Sequence, residues 1–209
     1  MTNDSPIVFV VDDDVSIRES LELLLHHEGF QCELFETAQA FLQRSRPVGP
    51  SCMILDVELP GLNGLDFQKH IASERADMPI IFITGYGDVP KTVRAMKAGA
   101  IEFLTKPFDE VALLSAVRYA IERSRASLRD EAEMSVLRNK LESLSPRERQ
   151  VMSLVVTGLL NKQIGGKLGI SEITVKAHRG KMMEKMGARS LADLVNMNTK
   201  LRQGSHADT

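Results

Sequence analysis

Five short apolar runs, Ile7 to Val11, Gln31 to Phe35, Cys52 to Leu55, Pro79 to Thr84 and Glu102 to Thr105, alternate with helical patterns through Gly99. Runs this short are too brief for buried helices and read as buried parallel strands. Parallel neighbours need a crossover of a dozen or more residues, which is usually a helix. The predicted fold is therefore an α/β doubly wound five-stranded parallel sheet with helices on both faces. Ligands in such sheets bind outside the carboxyl ends of the strands. The chemistry of this chain is expected at that edge.

The edge is acidic. The first run ends in Asp12-Asp13-Asp14, and the third ends in Asp56, followed by Val57-Glu58-Leu59-Pro60-Gly61. Carboxylates gathered from two strand ends repel one another unless a cation neutralises them, and oxygen-only ligands suit a hard divalent ion such as Mg²⁺ or Mn²⁺. Asp12 and Asp13 are the predicted metal residues, together with Asp56. The fourth and fifth runs bring Thr84 and Lys106 to the same edge. An aspartate is ionised at neutral pH, so Asp56 can attack phosphorus without a general base. The metal, Lys106 and the Thr84 hydroxyl then suit the oxygens of a transferred phosphoryl group. Asp14 reads as the N-terminal cap of a helix starting near Val15.

With 43% hydrophobic and 26% charged residues over 209 positions, the composition is that of an ordinary soluble protein of one or two domains. Apolar runs stop at about five residues and Met1-Thr2-Asn3-Asp4 has no basic-then-apolar pattern, so a cytoplasmic protein with no membrane contact is expected. Cys32 and Cys52 lack metal or redox spacing and read as buried free thiols. Charge is unevenly placed. Residues 1 to 143 hold 15 Lys and Arg against 23 Asp and Glu, net −8, whereas residues 144 to 209 hold 11 against 5, net +6. An acidic piece is joined to a basic one, a hint of nucleic-acid contact by the latter.

From Asp109 to Ser143 there is no Gly or Pro, which predicts one long helix of roughly 50 Å at 1.5 Å per residue. Leu114, Ile121 and Leu128 lie seven apart, and Met134, Leu137, Leu141 and Leu144 resume a three-four spacing. Two readings stay open: a helix that pairs with another chain, or a last amphipathic helix followed by a flexible linker. Ser145-Pro146-Arg147-Glu148 is a capping box with Pro at the first helical position, so a second domain begins at about Leu144. Gly158 ends that helix. Asn161 is expected to cap a helix over Lys162 to Leu168, Gly169 to make a tight turn, and Ser171 to cap a helix running to Met186. That is a helix-turn-helix, followed by a helix capped by Ser190.

On the Ser171 to Met186 helix, Val175, His178, Met182 and Met186 share one side and are expected to pack inward. The opposite side then presents Lys176, Ala177, Gly180 and Lys181, with Thr174 near the N-terminus, and a helix of this kind fits the DNA major groove. Asn161 and Lys162 are placed for phosphate contacts. His178 reads as semi-buried rather than as a ligand. Gly85-Tyr86-Gly87 lacks the third glycine of a dinucleotide site, and Gly166-Lys167 lacks the rest of a P-loop. His26-His27 reads as a solvated helix end.

Val10-Val11-Asp12-Asp13-Asp14, Leu55-Asp56 with Leu59-Pro60-Gly61-Leu62-Asn63-Gly64, Ile83-Thr84-Gly85 and Lys106-Pro107-Phe108 together resemble the receiver domain of bacterial two-component response regulators. Ser145 to Glu148, Gly158, Asn161-Lys162-Gln163-Ile164 and Ile170-Ser171 through Thr174 to His178 are similar to the LuxR-type helix-turn-helix. The pair resembles response regulators of the FixJ/NarL type over nearly the whole chain. The resemblance implies a flavodoxin-like receiver over 1–125, a helical linker over 126–143 that continues the last receiver helix, and an all-α DNA-binding domain over 144–209. It implies Asp56 as phosphate acceptor, Asp12, Asp13 and the Glu58 main-chain carbonyl as metal ligands, and Thr84 with Lys106 as a switch pair. Phe103 falls at the switch aromatic, and a cis Lys106-Pro107 bond is expected.

Partners implied are a sensor histidine kinase, promoter DNA, a second copy after phosphorylation, and RNA polymerase as a further contact. Catalysis is limited to the chain's own phosphoryl transfer and dephosphorylation. Glu58 and Tyr86 sit where the family tunes adduct lifetime. An aspartyl-phosphate hydrolase is the competing enzyme reading, but such enzymes resemble Asp-x-Asp, and here Glu58 stands two residues after Asp56. A kinase-independent regulator is disfavoured by the complete pocket. Departures from the family pattern are Gly165-Gly166, where Ala is common, Leu160, where Ser is common, and Gly180, often Asn.

Overall fold

A computed structural model describes residues 5–61, 63–75, 77–85 and 89–206, the side chains of 72–74 and 204–206 excepted. The chain divides into two compact units, Met1–Arg129 and Asp130–Thr209. Tyr86 and Leu62 lie outside the described residues.

In the first unit β1 (Ile7–Val11), β2 (Gln31–Phe35), β3 (Ser51–Asp56), β4 (Ile80–Thr84) and β5 (Glu102–Thr105) form one parallel sheet in the order β2-β1-β3-β4-β5. The doubly wound sheet expected from the alternation is thus present. Helices α1 (Val15–His27), α2 (Ala38–Leu42), α3 (Gly64–Glu74) and α4 (Val89–Lys97) make the crossovers, and α5 (Glu110–Glu142) follows β5. Residues of one strand parity, Val8, Val10, Cys52, Ile54, Ile81 and Ile83, pack with Leu21 and Leu25 of α1 and Leu113, Val117 and Ile121 of α5. The other parity, Phe9, Val11, Met53, Leu55 and Phe82, packs with Phe41 of α2, Phe67 and Ile71 of α3 and Ala95 of α4. Both faces being covered is why these strands read as unbroken apolar runs. β3 extends the predicted run by a residue at each end. Ser51 N–H donates to Ser124 Oγ of α5 at 3.0 Å, and Asp56 pairs in register with Ile83. Both cysteines are free. Burial pushes the Cys52 thiol up, and pushes Cys32 up to about 12.

α5 is one unbroken helix, as the absence of Gly and Pro predicts. Its Met134, Leu137 and Leu141 belong to the core of the second unit, together with Leu144 and residues of α6 (Pro146–Val155), α7 (Asn161–Leu168), α8 (Glu172–Met186) and α9 (Leu191–His206). Val151, Val155, Ile164, Val175, Met182, Met186 and Leu194 are its most buried members. α6 starts at the expected capping box: Glu148 N–H donates to Ser145 Oγ at 3.3 Å, and Ser145 N–H to Glu148 Oε2 at 2.9 Å. Ser171 caps α8, and Gly169 makes the turn before it with φ 66°, a conformation costly for any residue with a Cβ. No helix among the described residues is long and apolar enough to cross a membrane.

One expectation is corrected. Asn161 is the first helical residue of α7 and not its cap, which is Leu160. Leucine has no side-chain acceptor for the first helical amides, while its own N–H donates to Gln163 Oε1 at 2.9 Å. This frees the Asn161 side chain, which accepts from Arg179 Nη1 of α8 at 3.1 Å.

The two adjacent glycines of α7 differ sharply. A Cβ on Gly165 meets the Ile170 carbonyl oxygen at 2.7 Å, whereas one on Gly166 meets nothing within 4 Å. Gly165→Ala is expected to destabilise the chain by about 1–3 kcal/mol through overpacking against backbone. Gly166→Ala should stabilise it by up to about 1 kcal/mol through helix propensity. Urea unfolding followed by far-ultraviolet circular dichroism measures both, and equal effects would contradict the packing.

Glu148 is buried, and its carboxylate accepts from Lys185 Nζ at 2.7 Å as well as from Ser145 N–H. The Lys185 bond first, then the Ser145 amide, hold its pKa below its ordinary 4.5. A lowered folded pKa contributes stability that is present above the ordinary value and lost as pH falls from there through the lowered folded value. Glu148→Gln should therefore lower the urea midpoint at pH 7. The gap from the unchanged chain should begin to narrow as pH falls below the ordinary 4.5 and close once the folded carboxylate itself is protonated, and a gap that persists beyond that point would exclude the charged pair as its source.

Candidate functional site

The strand order reverses between β1 and β3, the switch point at which doubly wound sheets leave a crevice beyond the strand ends. Val11 pairs with Leu55, so Asp12 and Asp56 leave adjacent strands at the same level. They share the strand parity of Val8, Val10, Cys52 and Ile54 and so project to one side of the sheet. Their side chains are nearly enclosed, at 0% and 7% exposure. Asp13 stands beside them in the open, and carboxylate oxygens of Asp12, Asp13 and Asp56 lie within 4.8 Å of one another. Lys106, just past β5, reaches across: its Nζ is 2.6 Å from Asp12 Oδ2 and 2.6 Å from Asp56 Oδ2. Thr84 is fully buried at the end of β4, and its carbonyl accepts from Lys106 N–H at 2.7 Å. The Lys106-Pro107 bond is cis.

The electrostatics follow from burial and one cation. Burial raises the Asp12 pKa, and the hydrogen bond from Lys106 only partly opposes it. Burial also works against the Lys106 charge, but its hydrogen bonds to Asp12 and Asp56 outweigh that and raise its pKa. The Lys106 ammonium thus pairs with two of the three clustered carboxylates. An all-oxygen set short of positive charge fits a divalent hard cation, and the pocket is compatible with one.

Further residues hold the pocket in shape. Asp12 Oδ1 accepts from Asp14 N–H at 2.9 Å, and Asp14, as expected, caps α1 by accepting from Ser16 N–H at 2.8 Å. Asp56 Oδ1 accepts from Glu58 N–H at 2.9 Å, so the Glu58 main chain lies at the acceptor, while its side chain pairs with Lys91 of α4 at 3.2 Å. Phe103 is half-buried on β5 with its ring 6.1 Å from that of Phe82, on the α2–α4 side of the sheet. Two contributors escape a reading of strand ends alone. Arg18 Nη1 donates to the Asp12 carbonyl at 2.6 Å, which nothing in the sequence signals. Gly64 brings its backbone against β3, where a Cβ would stand 2.4 Å from the Asp56 carbonyl oxygen. Its place in the Pro60-Gly61…Gly64 segment was the available signal.

In the second unit, Val175, Met182 and Met186 of α8 are buried and His178 is half-buried, as the periodicity requires. Lys176, Ala177, Gly180, Lys181 and Thr174 are exposed, as is Lys162, while Asn161 is half-buried on Arg179. The Thr174 hydroxyl is 2.8 Å from the hydroxyl of the cap residue Ser171. A basic helix with one free face, following a tight turn, is the geometry by which helix-turn-helix proteins enter the major groove.

Comparison with known proteins agrees with both halves. Residues 8–118 match the family described as response regulator receiver domain, and residues 142–198 the family described as bacterial regulatory proteins, luxR family. The chain is 52% identical over 195 residues to nodulation protein W of Bradyrhizobium diazoefficiens, covering 93% of this chain and 86% of that one. It is 44% identical over 190 residues to the transcriptional regulatory protein FixJ of Azorhizobium caulinodans, covering 91% and 90%. Among solved structures it is similar to the response regulator StyR, with 47% identity and a TM-score of 0.83 over 94% of this chain and 99% of that one. It is also similar to full-length FixJ from B. japonicum, with 39% identity and a TM-score of 0.56 over 94% and 97%. An acidic strand-end pocket in one unit and a free basic helix in the other thus have a common explanation: the chain belongs to the DNA-binding two-component response regulators that join a receiver domain to a LuxR-type helix-turn-helix, the family of FixJ and nodulation protein W.

Proposed function

We propose that Asp56 accepts a phosphoryl group from a sensor histidine kinase and that this modification controls promoter binding by the second unit. The observation that carries the reading is the Asp56 carboxylate, held at the sheet edge with one oxygen on Lys106 and the other on the Glu58 amide. An ionised Asp56 oxygen attacks phosphorus, the O–P bond forming as the donor's P–N bond breaks, with no general base required. Lys106 and the Thr84 hydroxyl bind oxygens of the arriving group. Asp12, Asp13, Asp56 and the Glu58 carbonyl would hold Mg²⁺ or Mn²⁺, which when bound neutralises phosphoryl charge.

The acyl phosphate replaces one carboxylate charge by about −1.5 to −2 and adds acceptor oxygens, which draw Thr84 and Lys106 toward it. Phe103 then turns into the space behind Thr84. The surface formed by residues 89–98, Phe103 and residues 109–119 becomes the contact for a second copy. Residues 1–125 act as the phosphoacceptor module, 126–143 as the helical linker and 144–209 as the DNA-binding module. Asn161, Lys162, Thr174, Lys176, Ala177, Gly180 and Lys181 form the DNA surface, and RNA polymerase is the further partner at the promoter. Such a regulator works in the cytoplasm.

Incubation with acetyl phosphate and Mg²⁺ should give one persisting phosphoryl adduct by intact mass, and Asp56→Asn should give none. Rapid turnover without an adduct would favour a hydrolase, and a normal adduct on the Asn variant would end the assignment. Lys176→Ala should cost specific DNA affinity of about 1–3 kcal/mol if Lys176 reads a base. If it holds a phosphate, the salt slope of binding should fall by about one instead. Binding unchanged in both respects removes it from the interface.

A further inference from the structure

Ile173 is a large apolar side chain exposed at 83% in the first turn of α8, the second unit's basic helix. A β-branched apolar residue there lowers helix propensity and leaves apolar surface in water. Single exposed apolar side chains are ordinary, but the position of this one is not arbitrary. At 100° per residue Ile173 lies diametrically opposite Met182, which is fully buried. It is therefore centred on the outward face. Ala177 and Gly180, one and two turns on, fall within about 40° of the same line, and both are exposed. Lys176 and Lys181 stand on either side of that line, both exposed.

This arrangement sorts the contacts available to a major-groove helix. The flanking lysines are placed for the phosphates of the two groove walls or the outermost base edges. The middle of the face carries no side-chain donor or acceptor, since Ala177 and Gly180 have none and the Thr174 hydroxyl, bonded to Ser171, lies about 100° to one side of Ile173. The short side chains at 177 and 180 let the helix axis approach the groove floor, with Ile173 as the one long projection. Of the groups displayed in the major groove, only the thymine 5-methyl is apolar.

We infer that Ile173 is a specificity-determining residue that packs on a thymine 5-methyl group in the operator, so that the N-terminal turn of α8 selects an A·T pair by apolar contact. The inference rests on the DNA-binding reading and adds a reading residue outside the polar set. Because Ile173 touches no core, its truncation leaves the fold intact, and alanine improves helix propensity.

The test starts from a random-sequence duplex library, enriched on the full-length chain with and without acetyl phosphate and Mg²⁺. The wild-type motif should contain an invariant thymine. Replacing that thymine by deoxyuracil, which deletes only the methyl group, should weaken wild-type binding about 3- to 10-fold, the scale of one or two buried methyl groups. Ile173→Ala should bind the thymine operator more weakly by a similar factor and be indifferent to the deoxyuracil substitution. Its own enriched motif should lose the preference at that position and keep the others. A deoxyuracil penalty of equal size in Ile173→Ala and wild type, or identical enriched motifs, overturns the role of Ile173 while leaving DNA binding intact. Failure of the wild-type chain to enrich any sequence in either state would instead remove the DNA-binding reading and this inference with it.

Discussion

The ammonium of Lys106, 2.6 Å from a carboxylate oxygen on each of two strands, is the contact on which the first unit's chemistry depends. Asp12 and Asp56 are side by side because β1 and β3 are neighbours in register, and burial leaves them little water to screen their repulsion. Lys106 offsets that repulsion but does not cancel it, since Asp13 adds a third charge nearby. The pocket is left short of positive charge and attracts it. Lys106 is also shared. A phosphoryl group on Asp56 would compete with Asp12 for the same ammonium, while the Lys106 main chain is held in place by its N–H bond to the Thr84 carbonyl.

The pocket's precision depends on backbone as much as on charge. The Glu58 amide fixes one Asp56 oxygen, leaving the other for Lys106. Gly64 permits the turn after β3 to close against the Asp56 carbonyl, where no side chain fits. α7 uses the same device, with Gly165 seated on the Ile170 carbonyl at the start of the recognition turn. In both places a glycine within a polar loop or helix marks close backbone approach rather than flexibility.

The strands, the sheet and the acidic edge were legible in the sequence because each depends on a short local pattern: an apolar run, its length, and the polar residue that ends it. Pocket members that follow a strand end directly, such as Asp12, Asp56, Thr84 and Lys106, share that legibility. Arg18 does not, because its contact is with a carbonyl and any long polar side chain on that face of α1 looks the same in sequence. The seam of Met134, Leu137 and Leu141 illustrates a different limit. Periodicity states that a stripe is covered but not by what, and here the cover is the second unit's own core. Asn161 was misread as a cap because capping residues are recognised by type, whereas Gln163 supplied the acceptor from within the helix.

α8 shows how a helix can be specific while carrying few polar groups on its exposed face. Its buried side is set by Val175, Met182 and Met186, which fixes the rotation of the helix and hence which residues face outward. Arg179 donates to Asn161 and so joins α7 to α8. Thr174 is held by the cap. What remains outward is a pair of lysines around an apolar line. Lysine on a flexible stem neutralises phosphate with little directional preference, so a helix that relied on Lys176 and Lys181 alone would bind duplex DNA with weak discrimination. If Ile173 packs on a thymine methyl as inferred, discrimination on this face also comes from shape and from apolar contact. Both are set by the length difference between Ile173 and the two small residues below it.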